Sequence, residues 1–140
     1  ASPTAIHSIP GRAPRDDLER LFGSPGACAG CWCVYWRRSR RLAGSRILAP
    51  IDDLPVWSIV CLFVAKAARD RGVSTALLRG AVRFARAHGA DLVEGDPVEP
   101  REERMPDAFA CTGIASAYRR AGFEEIARRS PTRPIMRRVT

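Results

Sequence analysis

The sequence predicts an α/β domain: a mixed central β-sheet flanked by helices, with a βαβ unit at its core. Three observations carry this. Residues 56–64 (Val-Trp-Ser-Ile-Val-Cys-Leu-Phe-Val) are almost continuously apolar, the pattern of a strand covered on both faces. Residues 72–88 repeat apolar side chains at helical period, and Asp91 to Glu94 then returns to a strand pattern. Strand, helix and strand in that order make a crossover between parallel strands. Phe123 to Arg128 and Pro134 to Val139 read as two further strands, joined by a turn-like Ser-Pro-Thr-Arg-Pro stretch.

Each element follows from its residues. Residues 1–13 have little pattern. Asp16 to Phe22 places Leu18, Leu21 and Phe22 at helical spacing, with Gly23 as a stop. Cys31 to Trp36 is aromatic and β-prone. A basic run, Arg37 to Arg41, opens an irregular stretch that reaches Pro55. After the central strand comes a basic loop over residues 65–71. The helix beyond it carries Leu77, Leu78, Ala81, Val82, Phe84 and Ala85 on its apolar side, and Gly89 ends it. A polar loop with prolines fills residues 96–111. Thr112 to Ala121 reads as a helix closed by Gly122. No internal repeat is visible, and residues 1–140 read as a single domain.

Composition narrows the class. The 140 residues are 46% hydrophobic and 27% charged, ordinary for a globular chain. That excludes wholesale disorder and a collagen-like fibre. No apolar run nears the roughly 20 residues of a membrane span, and the first residues lack a signal-peptide layout, so a cytoplasmic protein is the expectation. Net charge is +8, and 22 of the 23 basic residues are arginine. Such an excess fits an anionic partner: a nucleic acid, a membrane surface or a phosphorylated cofactor. The five cysteines are Cys28, Cys31, Cys33, Cys61 and Cys111. An odd number argues against a disulfide framework. Three clustered cysteines without a nearby histidine fall short of a zinc ligand set, so no metal is expected. Buried thiols are the simplest reading. A thiolate activated by Arg37 and Arg38 is the reactive alternative.

The strongest chemical signal is the loop Arg69-Asp70-Arg71-Gly72-Val73-Ser74-Thr75. It opens a helix, where unpaired backbone N–H groups and the positive end of the dipole favour a phosphate. Gly72 allows close approach, and Ser74 and Thr75 add hydroxyl groups. A glycine at a helix start also serves plain chain geometry, so the loop is weighed with its surroundings.

The loop resembles the Arg/Gln-x-x-Gly-x-Gly/Ala signature of the GNAT superfamily of N-acetyltransferases. Residues 56–64 resemble its central strand, residues 72–89 its cofactor helix, and Tyr118-Arg-Arg-Ala-Gly-Phe123 its Tyr-x-x-x-Gly-Phe helix end. The resemblance covers roughly residues 54–140. Asp52-Asp53-Leu54-Pro55-Val56-Trp57, Gly30-Cys-Trp-Cys-Val-Tyr-Trp36 and Ala127-Arg-Arg-Ser-Pro-Thr-Arg-Pro134 resemble one poorly characterised bacterial branch. The resemblance implies acetyl-CoA as co-substrate, with its pyrophosphate on Arg69, Asp70, Arg71, Gly72, Val73, Ser74 and Thr75. It places the pantetheine arm along Leu62, Phe63 and Val64, and the Tyr118 hydroxyl near the thioester sulfur. Tyr118 is then the expected general acid. Glu94, at the end of the second parallel strand, is the candidate general base.

Three departures stand out. Ser74 replaces a usual Gly or Ala. Asp70 puts an acid beside the expected pyrophosphate. Only residues 37–55 separate Trp36 from the central strand, where the superfamily fits a two-stranded hairpin. The resemblance to this branch implies several tens of residues between the counterparts of Arg37 and Arg40, either lost from this chain or omitted from the sequence. Expected partners are acetyl-CoA and an amine of a small molecule or protein. A homodimer stays open and no membrane is expected. The rival readings are a non-catalytic acyl-CoA-binding protein and, more weakly, a basic nucleic-acid-binding module built on Trp32, Tyr35, Trp36 and the run Arg37 to Arg41.

Overall fold

The computed structural model describes Asp16, Arg20, residues 51–101 and residues 112–140. Asp16 and Arg20 are both helical, in agreement with the helix expected there. The readings for Cys28, Cys31, Cys33, Cys111, the β-prone segment 31–36, the basic run 37–41 and the short connection to residue 55 lie outside the described residues.

The described elements follow in the order β1 (Trp57–Ile59), a short 3-10 turn (Lys66–Ala68), α1 (Val73–Ala87), β2 (Leu92–Gly95), α2 (Ala115–Arg120), β3 (Glu124–Ser130) and β4 (Arg133–Val139). The four strands form one mixed sheet in the order β1-β2-β4-β3. β1 and β2 are parallel, with Ile59 opposite Gly95, and α1 lies between them in the chain. β4 is antiparallel to both β2 and β3. The expected crossover and terminal hairpin are therefore both present.

α1 forms where its pattern predicts. Thr75, Leu78, Val82 and Ala85 are its buried residues, spaced to keep one stripe against the sheet. Both helices end in the same way. Ala90 N–H donates to the Ala85 carbonyl and Gly89 N–H to Arg86. Phe123 N–H donates to Tyr118 and Gly122 N–H to Arg119. This paired pattern needs a left-handed residue after the helix, which Gly89 (φ 82°) and Gly122 (φ 85°) supply. In α2 the motif also brings Tyr118 and Phe123 together, their rings edge-on at 5.0 Å. The Tyr-x-x-x-Gly-Phe spacing thus has a direct physical reason: it is a helix stop and its apolar clasp.

Two elements are shorter than the sequence suggests. The apolar run 56–64 contributes a strand only at Trp57–Ile59. It is also less covered than expected: Trp57 is 41% exposed and Val60 39%. The reason lies in its neighbour. β2 ends at Gly95, and Pro97, two residues on, has no N–H for a ladder. The chain then turns so that Val98 bridges Ile114 instead. Residues 60–64 accordingly leave the β1–β2 ladder. The same bridge shortens α2. Val98 N–H donates to Gly113 and Ala115 N–H to Val98, so residues 112–114 stay outside the helix, which begins at Ala115.

The core sits between the sheet and the two helices. It comprises Leu78, Val82, Ala85, Val93, Ala115, Ala117, Tyr118, Phe123 and Met136, with Ile59 and Leu62 packed at its margin. Among the described residues no helix is long and apolar enough to cross a membrane.

Candidate functional site

The site is built around the open end of the β1–β2 pair. β1 and β2 run side by side through Ile59 and Gly95 and then separate. Tyr118 enters this end from α2. It is completely buried. A Cβ on Gly95 would lie 2.5 Å from Tyr118 Cε1 and 2.6 Å from its hydroxyl oxygen, so only glycine admits the ring here. Gly113 is the opposite jaw: a Cβ there would lie 2.9 Å from Tyr118 Cε2 and 3.0 Å from Leu62 Cδ2. Tyr118 is therefore wedged between two glycines, with Leu62 of the diverging segment beside Gly113. Its hydroxyl donates a 3.1 Å hydrogen bond to the Thr112 carbonyl. Burial, then the charges of Asp96 and Cys61, raises its pKa and holds the phenol protonated.

The loop into α1 completes the other half. Arg69 folds back, its Nε donating to the Val64 carbonyl at 3.0 Å, which ties the loop to the diverging segment. Asp70 and Gly72 both adopt left-handed backbone, at φ 58° and 74°. Aspartate is one of the few side chains that tolerates this conformation, so local geometry accounts for its presence. Its side chain, like that of Arg71, is exposed. Gly72 caps α1 with no side-chain hydrogen bond, and a Cβ there would meet nothing within 4 Å. Ala76 N–H donates to the Gly72 carbonyl. The amides of Val73, Ser74 and Thr75 are those a helix start leaves to outside partners. Thr75 is 8% exposed, and its Oγ1 has no hydrogen-bond partner among the described residues. The uncovered Gly72 and the unpaired amides of the first turn fit an oxygen-rich anion such as a pyrophosphate.

The sequence-selected residues thus fall into two groups. Leu62, Phe63, Val64 and Arg69 to Thr75 lie in the chain between β1 and the first turn of α1. Tyr118 closes the strand end. Glu94 stands apart. It lies opposite Arg137 across the β2–β4 ladder, and strand alternation turns it to the face away from Val93 and Gly95. Arg137 Nη2 holds its carboxylate at 2.6 Å and also reaches Asp52 at 2.8 Å through Nη1.

Asp96 is the residue that sequence reasoning missed. It directly follows Gly95, is half-buried, and its carboxylate has no hydrogen bond or ion pair among the described residues. Burial, then the Glu94 charge, pushes its pKa up to about 6, against the opposing pull of Arg133 and Arg129. A usable signal was present: it is the first residue beyond the carboxyl end of a parallel strand, where open α/β sheets place ligands.

Asp96 predicts a pH-dependent stability. Its folded pKa lies above the unfolded value of 3.8, so the folded state binds the extra proton between those two values. Asp96 therefore lowers stability as pH rises from about 4 to 6, and the full cost persists above that. Solvent access at the half-buried carboxylate reduces the cost to about 1 kcal/mol. Asp96→Asn should accordingly be more stable than wild type in urea at pH 7.5 and equal to it near pH 4. A variant less stable at pH 7.5 would show a stabilising partner for Asp96.

Comparison with known families agrees with this layout. Residues 5–104 match the family model described as "Acetyltransferase (GNAT) family". The match takes in β1, the loop, α1 and β2, and extends upstream of the described sheet. No curated protein and no solved structure gives a significant match.

Proposed function

The chain belongs to the GNAT acetyltransferase family, a family of acyltransferases that take acyl-CoA, and on that premise we propose that it transfers an acetyl group from acetyl-CoA to an amine. The acceptor is an amine of a small molecule or a protein. The observation that carries the reading is the pairing of two features. One is the α1 start, with Gly72 uncovered and no side chain capping the first-turn amides. The other is the strand end that Tyr118 closes between Gly95 and Gly113. A phosphate group and a reacting carbonyl joined by a long flexible arm need one feature of each kind.

Each residue then has a task. The amides of Val73, Ser74 and Thr75 bind pyrophosphate oxygens, and Lys66 and Arg71, both exposed, add positive charge nearby. Leu62 to Val64 line the arm where the chain has left the β1–β2 ladder. Acetyl-CoA supplies an activated thioester. Tyr118 keeps its proton because burial disfavours the phenolate, and gives it to the departing sulfur. The Thr112 carbonyl orients that hydroxyl beforehand. Asp70, being exposed, can turn its charge to solvent.

The test is release of CoA thiol that depends on an added amine. Amine-dependent release supports a transferase. CoA binding with no release under any amine would leave a non-catalytic acyl-CoA binder. Tight oligonucleotide binding with a steep salt dependence, without CoA binding, would favour the nucleic-acid reading.

A further inference from the structure

We propose that one outward flank of α1, together with the end of α2, is a docking surface for the phosphate backbone of duplex DNA. Arg79, Arg83 and Arg86 of α1 and Arg120 of α2 make the contacts. The surface begins about two turns beyond Gly72, and the proposal stands whether or not the chain transfers acetyl groups.

The inference comes from how the charges are arranged. No acidic residue occurs from Arg71 to Ala90 or from Gly113 to Phe123, so neither helix carries a carboxylate. Helical geometry puts Arg79, Arg83 and Arg86 within about 60° of arc, with rises of about 6 Å and about 4.5 Å between them. Arg79 Nη2 donates to the Arg120 carbonyl at 2.9 Å, which brings the end of α2 beside this row. All four arginines are exposed. Nearby arginines are already spent: Arg119 and Arg128 pair with Glu99 and Glu125, and Arg137 pairs with Glu94 and Asp52. Arg79, Arg83, Arg86 and Arg120 form no ion pair among the described residues. Four like charges this close lie within one Debye length and repel one another, and a polyanion relieves that repulsion.

The neighbouring residues select the kind of polyanion. A protein partner needs an apolar centre to its interface. The exposed large hydrophobic residues are Leu54, Trp57, Val60, Ile114, Ile126 and Val139, and none of them lies in α1 or α2. Exposed Ala76 and Ala87 stand beside the row instead. A single strand is held by stacking its bases on aromatic rings. Phe84 lies about 140° around the helix from Arg79 and stacks on His88 at 4.0 Å, so the row offers no ring to a base. A duplex needs none, because its bases are stacked on one another and its phosphates face outward. Guanidinium groups pair with phosphate through two parallel hydrogen bonds. One strand of B-DNA carries a charge about every 3.4 Å of helix axis, so the roughly 10 Å from Arg79 to Arg86 spans about three phosphates. Contacts of this kind position a protein without reading sequence.

The experiment measures affinity for two short DNA duplexes of unrelated sequence across a salt series. The proteins are wild type, Arg83→Ala/Arg86→Ala and the charge-matched control Arg101→Ala/Arg129→Ala. Alanine favours helix, and the unliganded Tm of each variant checks that the fold is kept. Four phosphate contacts predict that wild type loses about 10²-fold in affinity between about 50 and 200 mM salt, equally for both duplexes. Arg83→Ala/Arg86→Ala should bind more weakly and lose only about 10-fold over the same range. The control should behave as wild type. A stripe variant with wild-type affinity and slope, or a control that loses as much, overturns the proposal. Single-stranded DNA bound more tightly than duplex overturns the choice of duplex, and displacement by poly-glutamate of equal charge overturns phosphate recognition. Calorimetry with CoA is run on the same proteins. Unchanged CoA affinity in the stripe variant supports a separate surface, whereas loss of CoA affinity with unchanged DNA binding assigns these arginines to the cofactor site. Failure of wild type to bind CoA counts against the acetyltransferase reading alone.

Discussion

Tyr118→Phe should lower kcat by about 10²-fold, within the usual contribution of a general acid. The thiolate is a fair leaving group, so assistance helps without being essential. KM for acetyl-CoA should change little, because the phenyl ring still fills the slot between Gly95 and Gly113. The fold should survive. The variant loses only the hydroxyl bond to Thr112, worth about 1 kcal/mol, and keeps the edge contact with Phe123. Steady-state kinetics under conditions where chemistry limits the rate would check this. An unchanged kcat would remove Tyr118 from the chemistry. A large loss of acetyl-CoA affinity would make it a binding residue instead.

Gly95→Ala should be damaging for a different reason. The added methyl would lie 2.5 Å from Tyr118 Cε1, well inside contact distance. The ring cannot move away freely, since Gly113 and Leu62 hold its other side. Overpacking of this kind costs about 1–3 kcal/mol, and it shifts the hydroxyl from the strand end. A displacement of about 1 Å is enough to cost on the order of 10²-fold in rate. We expect Gly95→Ala to lose stability and turnover together, whereas Tyr118→Phe loses turnover alone. Urea melts beside kinetics separate the two patterns. A fully stable and active Gly95→Ala would show that the Tyr118 slot is not the reacting position.

The surface charge network on β3 is secondary in this account. Arg119 and Arg128 hold Glu99 down at about 2, but the groups are largely exposed. A lowered acid stabilises above its unfolded pKa of 4.5 and loses that contribution as pH falls toward 2. Exposed pairs of this type contribute little, and salt screens them.

Much of this arrangement was legible in the residues, for local reasons. The α1 stripe, the glycine stops and the β3–β4 hairpin are set by neighbours within a few positions. Tyr118 was legible because Tyr-x-x-x-Gly-Phe is itself a local motif. The failures are long-range. The run 56–64 looks like one strand, but strand length depends on a partner, and β2 stops at Gly95 before Pro97. Glu94 has the right place along its strand. Its engagement with Arg137 comes from the β2–β4 register, 43 residues away in the chain. Asp96 was hidden in Gly-Asp-Pro, which reads as a turn. Only the fold shows that this turn follows the end of the parallel pair.

In the proposed function the start of α1 receives the phosphates of an acyl-CoA. It is tested most directly by the thermal shift that CoA produces in wild type and in Gly72→Glu. A strongly charged cofactor and a +8 chain should associate at low salt, and binding to the folded state alone raises Tm by mass action. The glutamate would put a carboxylate where a phosphate should lie, and would also strain the left-handed backbone of residue 72, so the variant's own unliganded melt is the reference. CoA should raise the Tm of wild type by several degrees and leave that of Gly72→Glu unmoved. Equal stabilisation of both proteins would remove this loop from the binding site.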